Sequence, residues 1–84
     1  MKTSVEISYY PLNIEYVPPI RDFIDRIRKN QNLRIRVSGM STQVFGEYDE
    51  VMGTITAEMK RSFEIPHSVF VMKVINADLD TKPE

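Results

Sequence analysis

The sequence predicts an α+β fold, a ferredoxin-like βαββαβ two-layer sandwich whose antiparallel sheet has the strand order 4-1-3-2. Three observations lead to this prediction: four segments patterned as strands, two amphipathic segments between them, and a length of 84 residues that allows one core. The order β-α-β-β-α-β, without linker or repeat, fits this topology with both helices on one face of the sheet. We expect one domain over residues 1–77 and a polar C-terminal tail over 78–84.

The first half of the chain supplies two strands and one helix. Apolar and polar residues alternate from Val5 to Tyr10, which indicates a half-buried strand that ends at a proline. Pro18 and Pro19 suit the first turn of a helix, because no N–H hydrogen bond is lost there. Apolar residues then recur at i, i+3, i+4 and i+7 from Ile20 to Ile27. Alternation from Leu33 to Val37 indicates the second strand.

The second half of the chain supplies a hairpin arm, a helix and a last strand. A third strand from Ser41 to Tyr48 pairs with the second across a turn at Gly39. Asp49 is the expected N-cap of a helix with acidic residues in its first turn and basic residues in its last, which complements the helix dipole. The nearly continuous apolar run from Ser68 to Asn76 indicates the fourth strand.

Composition argues against several classes of protein. The absence of cysteine removes disulfides, thiolate nucleophiles and CxxC metal or redox sites, and it agrees with a reducing compartment. Eleven basic residues against twelve acidic ones give no overall field to attract nucleic acid or anionic lipid. No apolar run approaches the roughly 20 residues that cross a bilayer, and the first residues lack a signal-peptide segment. We therefore expect a cytoplasmic protein that binds neither nucleic acid nor membranes.

The face of the sheet away from the helices, called here the outer face, is predicted to be partly apolar. Alternation turns one set of residues toward the helices: Val5, Ile7, Leu33, Ile35, Val37, Val44, Phe70, Met72 and Val74. The other set lies on the outer face: Glu6, Ser8, Tyr10, Arg34, Arg36, Gln43, Phe45, Val69, Val71 and Lys73. Its members Tyr10, Phe45, Val69 and Val71 form an apolar patch typical of contact with another sheet or a ligand. We expect self-association through this face, as a dimer or tetramer.

Catalytic and metal sites find no support in the sequence. His67 is the only imidazole and has no zinc-spaced companions, so we expect it to be structural or on the surface. No G-x-S-x-G elbow is present, and three glycines form no phosphate-binding loop. The aromatic signature of RNA-recognition domains is missing, as is the cysteine pair of heavy-metal chaperones. An acylphosphatase-like enzyme is disfavoured because no arginine-bearing loop follows the first strand. We expect no enzymatic activity, no cofactor and no metal.

The most distinctive run extends from Met40 to Val51. It begins with the hydroxyls of Ser41 and Thr42 and the amide of Gln43, and a glycine then precedes an acid-rich helix start. Hydroxyl and amide groups together both donate and accept hydrogen bonds, which suits a neutral heteroaromatic ring. The glycine permits a bend or a close approach at that point. The alternative interpretation is a hairpin arm in which Gly46 merely relieves crowding.

Three segments of the chain resemble the small thiamine-binding protein family of bacteria, archaea and fungi: Ile7–Leu12, Met40–Val51 and Phe70–Val74. The similarity reaches from the first strand to about residue 76. It implies a ferredoxin-like domain that associates through its sheets into dimers or tetramers. It also implies binding of thiamine or its hydroxymethylpyrimidine moiety without catalysis. This chain departs from some relatives by having Phe45 where they have a small residue.

The resemblance also implies a set of ligand-binding residues. Thr42 and Gln43 match the family motif on the third strand, and Ser8 and Tyr10 lie on the strand expected beside it. Hydrogen bonds to an aminopyrimidine are then expected from Ser8, Ser41, Thr42 and Gln43. Ring stacking is expected from Tyr10 or Phe45, and contact with a thiazolium cation from Glu6 or Glu47.

Two hypotheses for function remain open at this stage. The first is a noncatalytic, cytoplasmic homo-oligomer that binds thiamine or hydroxymethylpyrimidine. The second is an assembly or regulatory domain that senses an amino acid or a partner protein, as other small domains of this topology do. Calorimetry with both vitamin compounds and a panel of amino acids would separate them.

Overall fold

The strands and helices follow the predicted order. A computed structural model describes residues 1–80, with these bounds: β1 Lys2–Pro11, α1 Val17–Ile27, β2 Arg34–Val37, β3 Thr42–Glu47, α2 Tyr48–Ser62 and β4 Ser68–Ile75. The strands form one antiparallel sheet in the order β2-β3-β1-β4. This is the predicted order 4-1-3-2 counted from the other edge, so the fold class is confirmed. Within the described residues, no helix has the length and apolar character to cross a bilayer.

The core lies between one face of the sheet and the two helices. Directly opposed residues share a face, so the pairing of Val5 with Val44, and of Val44 with Ile35, places these three side chains on the helix side. The buried core consists of Val5, Ile7, Phe23, Ile27, Leu33, Val44, Val51 and Ile55. Alternation in the strands and the helical repeat of α1 had indicated most of this set.

The start of α2 differs from the prediction. The N-cap position is Glu47, not Asp49, and no side chain caps the helix. The helix begins directly after β3, and the Tyr48 N–H in its first turn donates to the Met1 carbonyl oxygen at 2.9 Å. Asp49 and Glu50 lie in the first turn instead, where their charges still complement the helix dipole.

The outer face agrees with the prediction at one end of the sheet. Tyr10, Val69 and Val71 are 53%, 41% and 54% exposed, and they lie together because Tyr10 pairs with Val69 and Ser8 with Val71. These three residues are called the open apolar patch. The predicted unpartnered surface therefore exists at this end.

At the other end of the outer face, the prediction that Phe45 is exposed is wrong. Phe45 pairs with Ser4 and Arg34, which places it on the outer face, yet it is only 3% exposed. The cover is the segment Ala77–Asp80, called here the C-terminal strap, which binds both of these neighbours. Residues 81–84 of the predicted tail lie outside the described residues, and the domain boundary at residue 77 stays a prediction.

Candidate functional site

The main candidate site is a cavity of about 430 Å³ at the end of the sheet where β1 finishes. It lies between that end of β1, the first turns of α1 and the turn that joins β2 to β3. This cavity is called the end cavity. Its volume falls within the range of roughly 300–1,000 Å³ that is typical of small-molecule sites.

Aromatic rings in fixed positions form the floor of the end cavity. The Tyr9 ring stacks on Phe70 with 4.2 Å between centroids, and it meets the edge of Phe23 at 5.7 Å. The Tyr9 hydroxyl lies 3.1 Å from the Ser68 hydroxyl oxygen, which fixes the phenol as well. A ring system held on several sides is preorganised to contact a flat ligand.

The mouth of the end cavity is apolar and exposed. Tyr10 is 53% exposed there, and Leu12, Tyr16 and Met40 are also largely open to solvent. Leu12 is tied to the sheet by its N–H, which donates to the His67 carbonyl oxygen at 2.8 Å. Several apolar side chains around one opening provide contact area for a ligand that is partly desolvated.

The hydroxyls of the β2–β3 turn differ in what they can offer a ligand. The Ser38 oxygen accepts hydrogen bonds from the Met40 and Ser41 N–H groups, so it mainly closes the turn. The Ser41 hydroxyl donates to Glu6 Oε2 at 3.1 Å on the outer face. Thr42 pairs with Ile7 on the helix side, is buried and lines the cavity. Its hydroxyl is therefore the one best placed to bond a ligand inside.

The predicted ligand-binding residues are divided between three places. Tyr10, Ser41 and Thr42 lie at the end cavity. Ser8, Gln43 and Phe45 lie on the outer face, since Ser8 pairs with Val71, Gln43 with Glu6, and Phe45 with Ser4. Adjacent strand residues point to opposite faces, so Thr42 and Gln43 cannot bind the same ring.

Glu47 lies at the far end of β3, about 17 Å from Thr42 at the usual rise per strand residue. Its carboxylate contacts the N-terminal ammonium and Lys2 Nζ, each at 3.0 Å. Hydrogen bonds from these two cations lower the pKa of Glu47 below its ordinary value. The structure thus gives Glu47 a role in joining the chain start to β3, away from the end cavity.

A second, smaller cavity of about 340 Å³ lies on the outer face. Gln43 and Phe45 line it, together with Glu6, Lys73 and Leu79 of the strap. Lys73 Nζ is 3.7 Å from Glu6 Oε1, so opposite charges meet at its edge. This cavity brings three of the predicted ligand residues together, Glu6, Gln43 and Phe45, but not with Thr42.

Two arginines on β2 hold the strap by ion pairs. Arg34 donates to Asp80 Oδ2 at 2.7 Å and to Asp78 Oδ2 at 2.8 Å, and Arg36 donates to the other oxygen of Asp80. The bonds from Arg36 and Arg34 lower the pKa of Asp80. The Asp80 N–H and then Arg34 lower the pKa of Asp78. Both carboxylates are therefore charged at neutral pH.

Sequence reasoning missed three aromatic residues of the end cavity: Tyr9, Tyr16 and Phe23. Alternation placed Tyr9 on the helix side, and the helical repeat placed Phe23 toward the sheet. Both were therefore interpreted as core residues. Their position at the end of β1 and early in α1 was the available signal that a cavity opens beside them. Within residues 1–80, no group of three or more His, Asp or Glu side chains is placed to hold a metal ion.

Comparison with solved structures finds several close matches to the whole chain. A structural-genomics protein from Streptococcus pneumoniae has a TM-score of 0.82 at 21% identity, covering 94% of this chain and 90% of that one. A Thermotoga maritima protein described as a "putative thiamine biosynthesis/salvage protein" has a TM-score of 0.78 at 19% identity, covering 88% and 82%. A domain of unknown function, DUF77, from Bacillus cereus has a TM-score of 0.70 at 15% identity, covering 94% and 79%.

This chain has the fold of these small proteins. No protein-family model matches it, nor does any curated protein. At identities of 15–21%, the structural similarity establishes the shared fold. A shared fold does not establish a ligand or an activity, because one fold can carry many functions.

Proposed function

We propose that this protein is a noncatalytic, cytoplasmic homo-oligomer that binds thiamine or its hydroxymethylpyrimidine moiety in the end cavity. The observation that carries the proposal is the cavity itself, which the Tyr9 and Phe23 rings line together with Thr42. The name of the Thermotoga maritima neighbour supports the same ligand class. The first residues of the sequence motif, Met40–Thr42, form part of one wall of this cavity.

The walls of the end cavity favour a neutral heterocycle. Its lining residues are alkyl, aromatic or hydroxyl-bearing, and none of those described carries a charge. A charged group buried there would lose hydration without an ionic partner, which costs several kcal/mol. The neutral aminopyrimidine therefore enters the cavity, while the thiazolium ring of thiamine stays at the exposed mouth. A free amino acid, with two charges, fits these walls less well.

The proposed binding includes no chemical step. The ring would contact Tyr9 and receive a hydrogen bond from, or donate one to, the Thr42 hydroxyl. Among the described lining residues there is no carboxylate, imidazole or amine to act as a general acid or base. The end cavity thus supplies shape, stacking and one hydroxyl, which are the components of a binding site.

Self-association is proposed to use the outer face. The open apolar patch of Tyr10, Val69 and Val71 exposes a large aromatic and two β-branched residues on one side of β1 and β4. Burial of such surface against a second copy contributes roughly 25 cal/mol for each Å² removed from water. Tyr10 belongs to both the patch and the mouth of the end cavity. The rest of the patch lies on the outer face, whereas Tyr9, Phe23 and Thr42 line the cavity on the helix side, so assembly leaves most of the cavity accessible.

Titration calorimetry tests the ligand proposal directly. Hydroxymethylpyrimidine and thiamine are each expected to bind with a dissociation constant in the micromolar range, about −8 kcal/mol. Thr42→Val removes the hydroxyl but keeps the shape, and it is expected to weaken both ligands by about tenfold, equivalent to one lost hydrogen bond.

Thr56→Val is the matched control, because Thr56 lies on the exposed side of α2 and donates to the Met52 carbonyl oxygen. It is expected to leave binding unchanged. Heat from an amino acid, with silence toward both vitamin compounds, would reverse the proposal in favour of an amino-acid sensor. Equal affinities for wild type and Thr42→Val would remove the cavity as the site.

A further inference from the structure

The C-terminal strap crosses the outer face of the sheet from one edge toward the other. It leaves the end of β4, and the Ser4 hydroxyl on β1 donates to the Ala77 carbonyl oxygen at 2.7 Å. The same hydroxyl oxygen accepts the Leu79 N–H at 2.9 Å. On the far side, Asp78 and Asp80 reach Arg34 on β2. The strap is thus fastened at both ends of its path.

The C-terminal strap covers one large aromatic residue of the outer face, Phe45. Phe45 lies on β3 directly between Ser4 and Arg34, the two residues that fasten the strap. The side chain of Phe45 is almost completely buried in the folded chain. Without the strap, a large aromatic ring would join Ile75 in a second exposed apolar area on the outer face, separated from the open apolar patch by the Glu6–Lys73 pair.

The contacts that fasten the strap are ion pairs whose arginine side is open to solvent. The side chains of Arg34, Arg36 and Asp78 are 48%, 45% and 41% exposed, whereas that of Asp80 is 9% exposed. Salt screens the exposed Arg34–Asp78 pair most and the Asp80 pairs less. Because the pKa of each strap carboxylate is lowered, both stay charged down to acidic pH, and ionic strength is the stronger control near neutrality.

We infer that the C-terminal strap is an electrostatic latch that limits self-association: when it opens, Phe45 becomes available to the outer face of a second copy. This inference rests on the proposed self-association. A second copy is the partner that fits, since Glu6 and Lys73 put both signs of charge beside the apolar residues. Two such faces related by a two-fold axis complement each other in charge as well as in apolar surface.

The test compares Asp78→Asn/Asp80→Asn with wild type at low ionic strength. Hydrogen exchange at the Leu79 N–H reports whether the strap is open, and sedimentation equilibrium reports the dissociation constant of self-association. We expect exchange to be about fivefold faster and self-association about fivefold tighter, as the loss of a weak latch predicts. High salt is expected to speed exchange in wild type and to change exchange in the variant little.

The matched control is Asp22→Asn/Asp25→Asn, which removes two negative charges from the exposed side of α1. It is expected to leave both measurements at the wild-type values. Arg36→Gln breaks the latch from the other side and should reproduce the effect if the aspartate variant folds poorly. Hydroxymethylpyrimidine binding should be unchanged in all of these variants, because the end cavity does not contain the strap.

The outcomes separate the latch from the self-association on which it rests. Unchanged exchange in both latch variants overturns the latch and leaves self-association standing. Faster exchange with unchanged or weaker association also overturns it, because the uncovered Phe45 would then not serve the interface. Wild type and variants that all remain monomeric at high concentration overturn both the latch and the proposed assembly.

Discussion

At Gly46, β3 packs closely against Leu33 and the α2 residue Val51. A Cβ at this position would lie 3.0 Å from Leu33 Cδ2 and 3.3 Å from Val51 Cγ2, both in buried side chains. Gly46→Ala is therefore expected to lower the free energy of unfolding by about 1–3 kcal/mol, the usual cost of overpacking. Urea denaturation monitored by circular dichroism measures this change.

Gly53 provides the matched control for that substitution. It lies in α2, and a Cβ there would meet nothing within 4 Å. Gly53→Ala is expected to raise the free energy of unfolding by up to about 1 kcal/mol through helix propensity. If Gly46→Ala were as stabilising as Gly53→Ala, the close contact between β3 and α2 would be refuted.

Single positions also show how far the sequence can be interpreted. Alternation placed Thr42 and Gln43 on opposite faces, yet the motif alone suggested that both bind one ligand. The structure follows the alternation, because the pleat of a strand fixes the direction of each side chain. Gly46 was predicted to permit a bend or a close approach, or merely to relieve crowding, and the structure favours close approach. Which of these roles Gly46 has depends on where α2 packs against β3. The sequence pattern of β3 alone does not specify that position.

The two helices are joined by one arginine. Arg26 on α1 donates through Nε to Glu58 Oε1 at 2.8 Å and through Nη2 to the Ser62 hydroxyl at 2.7 Å. The Arg26 and Glu58 side chains are only 19% exposed, so solvent screens this pair less than a surface pair. The contact fixes α1, which also forms one wall of the end cavity.

Arg26→Lys keeps the charge but loses the planar fork that reaches two partners at once. It is expected to lower the free energy of unfolding by about 1–2 kcal/mol, the contribution of hydrogen bonds to a charged group. Arg28→Lys, at an exposed position, is the control and should change stability little. Equal urea midpoints for the two variants would show that Arg26 does not join the helices.

Secondary-structure elements were predicted where periodicity is local and missed where contacts are distant. The paired prolines and the repeat to Ile27 predicted α1 within a few residues of Val17–Ile27. The strap was predicted only as a polar tail, since its order comes from ion pairs between Arg34 and residues 44 and 46 positions away. No local pattern in the chain encodes such a pairing.

For the molecule as a whole, self-association is the property with the simplest test. Val71→Glu places a carboxylate in the open apolar patch, where burial against a second copy would cost several kcal/mol. We expect light scattering to show a shift from the assembled mass to that of one chain. Val17→Glu, on an exposed position of α1, is the control and should retain the wild-type mass. An unchanged mass in Val71→Glu would contradict assembly through this face.

The topology of the molecule could be predicted from element order, but the end cavity could not. Four strands and two helices in the order found allow few arrangements, and the predicted strand order is observed. The end cavity instead depends on how far α1 and the β2–β3 turn stand apart beyond Tyr9 and Thr42. This separation is set by tertiary packing. The sequence therefore indicated which residues form one wall, but not that a cavity opens between this wall and α1.

The most direct measurement is a crystal structure of the protein with hydroxymethylpyrimidine bound at saturating concentration. We expect the pyrimidine ring to lie against Tyr9 and within hydrogen-bond distance of the Thr42 hydroxyl, inside the end cavity. A ring bound instead on the outer face beside Glu6 and Lys73, or an end cavity that stays free of ligand, would contradict it.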